Sequence, residues 1–406
     1  MIAFKRSPSS IEAAFLSAWR QARCHRPASA FRVVSGSVLV RELLHDLPLH
    51  ALTALYLLIA AVTAVALDAT DRLVLTVYLW LWMRAAALCL VMYLLVVEVT
   101  ISAIGRSRRP LTAAVIRMWG RIGFRALPAL ALLINMAVFY GAFTSLKNML
   151  PLFALDWQDK QIADFSRWLH FGYTPWRLLH LVLGQPAVTR FVEFLYVPVW
   201  LGLLIGLPIL LGLRRDLAQL RVRYILTMFL CFALLGNAVA ALGMSGGPAF
   251  YGQITGDHAR YGELIDYLAF SSGRPFSAWD IQQYLWACFQ AGKPQLGSGI
   301  SAFPSLHVAM ATLFVLAGRQ LAPWLGRVLA VYGLLILLGS VHLGWHYAID
   351  GYASMLGTML LWSIAGWIAR RLSRSATAAE TGSECLTKLP DTGRFACGHD
   401  GAAGVL

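Results

Sequence analysis

Long apolar runs alternate with short polar segments rich in arginine along this chain. The runs lie at approximately 50–68, 73–103, 125–145, 191–213, 223–243, 303–321, 325–344 and 347–369. Each is near or above the roughly 20 residues that a helix needs to cross a bilayer. The pattern therefore predicts an all-α, polytopic membrane bundle of about eight transmembrane helices. The second run is overlong and carries Arg84 and Glu98. Either it tilts, or those charges face the bundle interior.

Composition agrees. The 406 residues are 58% hydrophobic and 13% charged, whereas soluble domains carry about 25% charged residues. A net charge of +14 is compatible with nucleic-acid binding, but the positions of the charges argue for a membrane and against nucleic acid. Arg106, Arg108, Arg109, Arg117, Arg121 and Arg125 follow the second run. Arg214, Arg215, Arg221 and Arg223 follow the fourth, Arg319 and Arg327 the sixth, and Arg370, Arg371 and Arg374 the eighth. Eight crossings with both termini inside place all four sets on the cytoplasmic face, as the positive-inside rule requires. The outer ends of the sixth and eighth runs then carry His307 and His346. Only Lys5, Lys147, Lys160, Lys293 and Lys388 among the 34 basic residues are lysine. Such arginine excess is common in GC-rich bacteria and points to a bacterial inner membrane, with the histidines on its periplasmic side. The six cysteines are scattered and form neither a disulfide framework nor a metal spacing.

The ends and loops differ from the runs. Residues 1–46 are basic, with Ile11, Phe15, Ala18 and Trp19 at helical spacing. They read either as an amphipathic segment on the inner surface or as a basic disordered tail. They lack the apolar core of a cleaved signal. Residues 373–406 are polar, aperiodic and expected to be disordered. Residues 146–190 mix tryptophans with Asp156, Asp159, Lys160 and Asp164, which suits a helix on the outer interface. Residues 244–302 form a second long outer loop, and loops of this length are usually functional or flexible.

Candidate chemistry concentrates where loops meet the last runs. In Gly299–His307, Ser301 suits an N-cap and Pro304 the first turn of a helix, with Ser305 and His307 just inside. Such a helix start favours an anion, phosphate above all. In His342–Asp350, His346 and Asp350 stand four residues apart. On a helix they share a face, so that the carboxylate takes the Nδ1–H and leaves Nε2 free as nucleophile or base. Lys147 caps the third run on the side where cations are scarce; it either reaches a substrate phosphate or snorkels. Ser245-Gly246-Gly247-Pro248 either turns its backbone N–H groups toward a phosphate or merely ends the fifth run.

These residues resemble a known family. Pro304-Ser305-Leu306-His307 is similar to the second signature of the phosphatidic acid phosphatase type 2 superfamily, and His346-x3-Asp350 to the end of its third. The longer strings Ser301–Ala309 and Leu343–Gly351 resemble the branch that includes fungal inositol phosphorylceramide synthase, an inositolphosphotransferase of sphingolipid metabolism, and many bacterial membrane proteins. The resemblance implies a six-helix core, here 123–372, with two additional helices and a basic loop at 47–122. It implies that His346 attacks phosphorus, that Asp350 orients it and that His307 protonates the leaving oxygen. It departs at the cations. The arginine usually found six residues before the nucleophile is Ser340, and Arg274-Pro275 stands in the first motif's loop with Tyr267 at its lysine position.

Three readings of the histidines follow. They are interfacial polar residues, or His342, His346 and Asp350 bind a metal from one helix face, or the set transfers phosphoryl groups without metal or cofactor. The last accounts for three histidines and a carboxylate gathered on one membrane face. A transporter has only the multi-span architecture in its favour, without the matching broken halves often seen there. The sequence thus predicts a metal-independent phosphotransferase acting on a lipid phosphate in the bilayer, with an alcohol or water as acceptor. Lipid phosphate hydrolysis is the alternative. Ser301, Ser305, His342, Gly246, Gly247, Lys147 and Arg274 are its expected substrate-binding residues.

Overall fold

The computed structural model describes residues 36–105, 109–153, 155–214 and 216–387, and these form helices and connecting loops without strands. The expectations for the basic segment before residue 36 and the tail after residue 387 lie outside the described residues. Helix α1 spans Gly36–Ala66. It is followed by α2, Leu79–Ile104, which has a π-helical turn at Leu94–Val99, and by the 40-residue α3, Pro110–Met149. Two short helices, α4 (Asp159–Leu169) and α5 (Pro175–Leu183), fill the next loop. Then come α6 (Pro186–Leu213) and α7 (Ala218–Leu242). The second long loop holds α8 (Ala259–Leu268) and α9 (Ala278–Ala291). The chain closes with α10 (Leu306–Leu321), α11 (Pro323–His342) and α12 (Ala348–Thr387). Helix α12 thus continues through part of the polar stretch from 373 onward.

Seven of these helices, α1, α2, α3, α6, α7, α11 and α12, are long and apolar enough to cross a membrane. The remaining run, the sixth, forms α10, which has 16 residues and a length of about 24 Å. It is short because Ser305, not Ser301, is its N-cap, accepting from the Val308 N–H. Pro304 lies in the preceding loop and not in the first turn. Ser301 instead donates to the Phe303 carbonyl at 3.3 Å. Proline does open α3, α5, α6 and α11, where its missing N–H costs nothing.

The helices run antiparallel, so the arginine-rich ends gather at one end of the bundle and His307 and His346 at the other. At the basic end, buried Asp46 of α1 meets Arg125 of α3 and Arg221 of α7, each at 3.0 Å. A carboxylate shared by two guanidinium groups satisfies the demand that buried charge be paired. Glu98 is also buried, accepting from the Tyr93 hydroxyl at 2.9 Å. Arg84 is exposed, so of the two charges in this run only Glu98 faces inward.

Two close approaches set the rest. A Cβ on Gly318 would lie 2.5 Å from Leu329, and one on Gly326 would lie 2.3 Å from Arg319. Small residues thus let α10 and α11 pack tightly about the single linking residue Ala322. A Cβ on Gly141 would lie 2.2 Å from the Leu75 carbonyl. The α1–α2 connection therefore presses directly on α3. It is tied there by the Val74 N–H to Ser145, by Tyr78 to Thr144 and by Arg72 to the Asn148 carbonyl.

Candidate functional site

The chain breaks between α11 and α12 at Gly344, whose φ is +70°. The left-handed backbone there suits glycine. The N–H groups of Trp345 and His346 both donate to the Ser340 carbonyl, at 3.0 and 3.1 Å. His346 therefore sits in a tight turn and not on a continuous helix with Asp350. The two side chains nonetheless come within ion-pair distance of each other. The His346 Nδ1 lies 3.4 Å from the Asp350 carboxylate, which is fully buried in the first turn of α12. The same Asp350 oxygen accepts the Tyr347 N–H at 3.0 Å, which fixes the carboxylate against the turn. The break also separates His342 from the pair, so the three-ligand helix face is absent. No cluster of three or more metal-ligating side chains occurs among the described residues.

His307, in the first turn of α10, stands beside this pair. The Ser305 N–H donates to the Asp350 carbonyl at 3.3 Å, joining the two helix starts. The His307 ring lies between Tyr196 and Trp200 of α6, with both centroids 4.2 Å away. The Trp200 indole N–H donates to the His307 carbonyl at 3.1 Å. Aromatic faces on both sides leave the imidazole little rotational freedom. The Lys147 ammonium lies 5.7 Å from the Phe143 ring centre. It has neither a hydrogen-bond acceptor nor a carboxylate partner among the described residues.

Other expected site residues are placed differently. The Gly246 and Gly247 N–H groups do converge on an anion, but the anion is the buried carboxylate of Asp159 at the start of α4, at 2.9 Å from each. Tyr347, next to the nucleophile candidate, donates to the same carboxylate at 2.7 Å. Burial raises the Asp159 pKa, against the Gly246 and Tyr347 hydrogen bonds, which lower it. These glycines are therefore already engaged and do not offer a free phosphate cradle. The loop also grips the turn directly, through the Ala249 N–H to the Gly344 carbonyl at 2.8 Å. His342 turns away, its Nε2 2.8 Å from the Thr189 hydroxyl and its ring 4.6 Å from that of His180. Arg274 is exposed on its loop, and Tyr267 bonds to Thr189. Ser245 is buried and binds the loop before α10, accepting the Phe303 N–H at 3.1 Å. Asp159 reads in the sequence only as a charge of the interfacial segment, and Tyr196 and Trp200 only as part of an apolar run, because all three lie far from the motifs; Tyr347 lies inside one, but carries no role there.

Of the expected groups, the structure thus gathers His346, Asp350, His307, Ser305 and Lys147 at one end of the bundle. It can host an in-line displacement, since a ring nitrogen, a second imidazole and a cation gather there, and the one further carboxylate beside the turn, Asp159, is already engaged by the Gly246 and Gly247 N–H groups and the Tyr347 hydroxyl. No curated protein and no solved structure matches the chain. A family model described as the PAP2 superfamily matches residues 160–364, half of the chain, including every member of the site but Lys147. The chain belongs to the PAP2 superfamily, whose members are phosphatases and phosphotransferases.

Proposed function

We propose that this membrane protein transfers the phosphoryl or phospho-head-group moiety of a lipid through a phosphohistidine on His346. The observation that carries the reading is the His346–Asp350 pair, 3.4 Å apart, with His307 and Lys147 at the same end of the bundle. Asp350 holds the Nδ1–H, which leaves the Nε2 lone pair for attack on phosphorus. The Nε2–P bond forms as the bond from phosphorus to the leaving oxygen breaks. His307, protonated, delivers its proton to that oxygen. In the second step an alcohol or water attacks phosphorus, His307 takes its proton, and His346 is released. Lys147 supplies positive charge where the superfamily's usual arginine is replaced by Ser340. The synthase-like strings around Ser301–Ala309 and Leu343–Gly351 favour transfer to an alcohol over hydrolysis.

The test is product analysis. Purified protein is incubated with lipids labelled in the phosphate, with and without polyol acceptors. Label appearing on the polyol supports transfer, and label appearing only as inorganic phosphate makes the protein a lipid phosphatase. Turnover is expected to survive EDTA. Complete loss in EDTA, restored by zinc or iron, would replace this mechanism with a metal-dependent one.

A further inference from the structure

The two helices that precede the superfamily core bring one cation to the histidine end of the bundle. Arg72 lies in the α1–α2 connection, which Gly141, Ser145 and Thr144 hold against α3. Its guanidinium donates to the Asn148 carbonyl at 2.7 Å. One hydrogen bond to a carbonyl leaves most of its five donors and all of its charge uncompensated, and it has no carboxylate partner among the described residues. Arg72 and Lys147 line the same cavity, of about 170 Å³. The remaining walls come from the end of α3, the end of α9 and the loop at Gly299–Ile300, and no carboxylate lines the space. Gly299 makes room for Lys147, since a Cβ there would lie 2.8 Å from the lysine side chain. The same loop runs on to Ser305 and His307. Lys147 therefore lines this cavity, at the end of the bundle that carries the catalytic histidines.

We propose that Arg72 and Lys147 form an anion subsite that holds a phosphate-bearing group beside the catalytic histidines. Two partly buried cations without a counter-ion, facing one small cavity, are the arrangement that binds phosphate. Arginine contributes a planar fork for two oxygens and lysine a point charge. The apolar part of the wall, including Pro151, Leu152 and Phe289, suits the carbon portion of a lipid headgroup. The accessory helices thereby complete the substrate site of the core. The inference deepens the phosphotransfer reading by naming how the anionic substrate is held, but its test does not depend on turnover.

Binding is measured by calorimetry on the full chain carrying His346→Ala, in nanodiscs of zwitterionic lipid. The probes are inorganic phosphate and a short-chain phosphatidic acid. Each hydrogen bond to a charged group is worth enough that Arg72→Gln should weaken binding by about 10- to 100-fold. Arg72→Lys, which keeps the charge, should lose several-fold only. Binding of phosphatidic acid alone identifies a lipid headgroup as the ligand, and comparable binding of inorganic phosphate identifies the free anion. Thermal unfolding of each variant separates lost binding from lost structure, because Arg72 also holds Asn148. If Arg72→Gln unfolds early, Lys147→Gln takes its place in the same titration. Wild-type affinity for both probes in a folded Arg72→Gln or Lys147→Gln protein overturns the subsite, as does failure of the parent protein to bind either probe. Failure of the phosphotransfer reading would instead appear as binding without turnover in the wild type.

Discussion

His346 and His307 carry the same ring in different surroundings, and their roles separate by substrate. His346 has a carboxylate 3.4 Å from Nδ1, whereas His307 is clasped between Tyr196 and Trp200. On the proposed mechanism, replacing His346 with alanine removes the attacking atom, so turnover of every phosphate ester should vanish. On the same mechanism His307→Ala removes leaving-group protonation, worth roughly 10²–10⁴-fold. A nitrophenyl ester needs little protonation and should recover much of that loss in His307→Ala and none of it in His346→Ala. The reverse pattern would exchange the two roles. Asp350→Asn permits the wrong imidazole tautomer, and a comparable change in the serine protease template costs about 10⁴-fold. Asp159 is tied to the turn through Tyr347 and the Gly246–Gly247 N–H groups. Tyr347→Phe deletes one of its donors and should leave a folded protein with a lower kcat and little change in KM, because the substrate is untouched while the turn beside His346 loosens. Asp159→Ala orphans three donors, at about 1–3 kcal/mol each, and should lower the unfolding temperature as well. Unaltered kcat in a folded Tyr347→Phe would deny Asp159 any positioning role.

Helices were legible in the sequence where apolar length decides them, and partners were not. The ends of α6, α7 and α11 fall within a few residues of the apolar runs, because runs of about 20 residues have few other solutions in a bilayer. Helix α10 is shorter than its run, since Ser305 offers a side-chain cap that apolarity does not reveal. The His346–Asp350 pairing was legible from a four-residue spacing, although the backbone between them proved to be a turn. The engagement of Gly246 and Gly247 by Asp159 was not legible, because the residues are 87 and 88 positions apart and only the fold joins α4 to that loop. The same holds for Asp46, which lies 79 positions from Arg125 and 175 from Arg221. Removing one member of a buried charge network costs about 3–5 kcal/mol. Asp46→Ala, which removes the carboxylate that Arg125 and Arg221 share, should therefore reduce the yield of folded protein and release α1 from α3 and α7. Protease sensitivity at that end of the bundle measures the release. An Asp46→Ala protein as resistant as the wild type would mean that the apolar contacts of α1 alone hold it.

Which way the bundle faces decides what the site can act on. The connections at one end are brief: residues 105–109, residues 214–217 and Ala322. Arginines crowd beside them, at Arg109, Arg117, Arg125, Arg214, Arg221, Arg223, Arg319 and Arg327. Short loops of this kind set orientation, whereas long ones translocate with little regard to charge. The two long loops, with α4 and α5 in one and α8 and α9 in the other, lie at the histidine end. Trp168, Phe171 and Leu181 of the first are exposed there, as befits aromatic and apolar side chains at a membrane interface. The basic end is therefore expected in the cytoplasm and the His346 turn outside. A reporter fused after Arg215 should be cytoplasmic, and one inserted within 258–270 should be external. Lipid phosphates of the outer leaflet, and an acceptor from outside, would then reach His346 without crossing the bilayer. An external reporter after Arg215, or a cytoplasmic one at 258–270, would place the histidines inside the cell. Arg72 and Lys147 would then hold a headgroup of the inner leaflet, and the acceptor would have to be cytoplasmic.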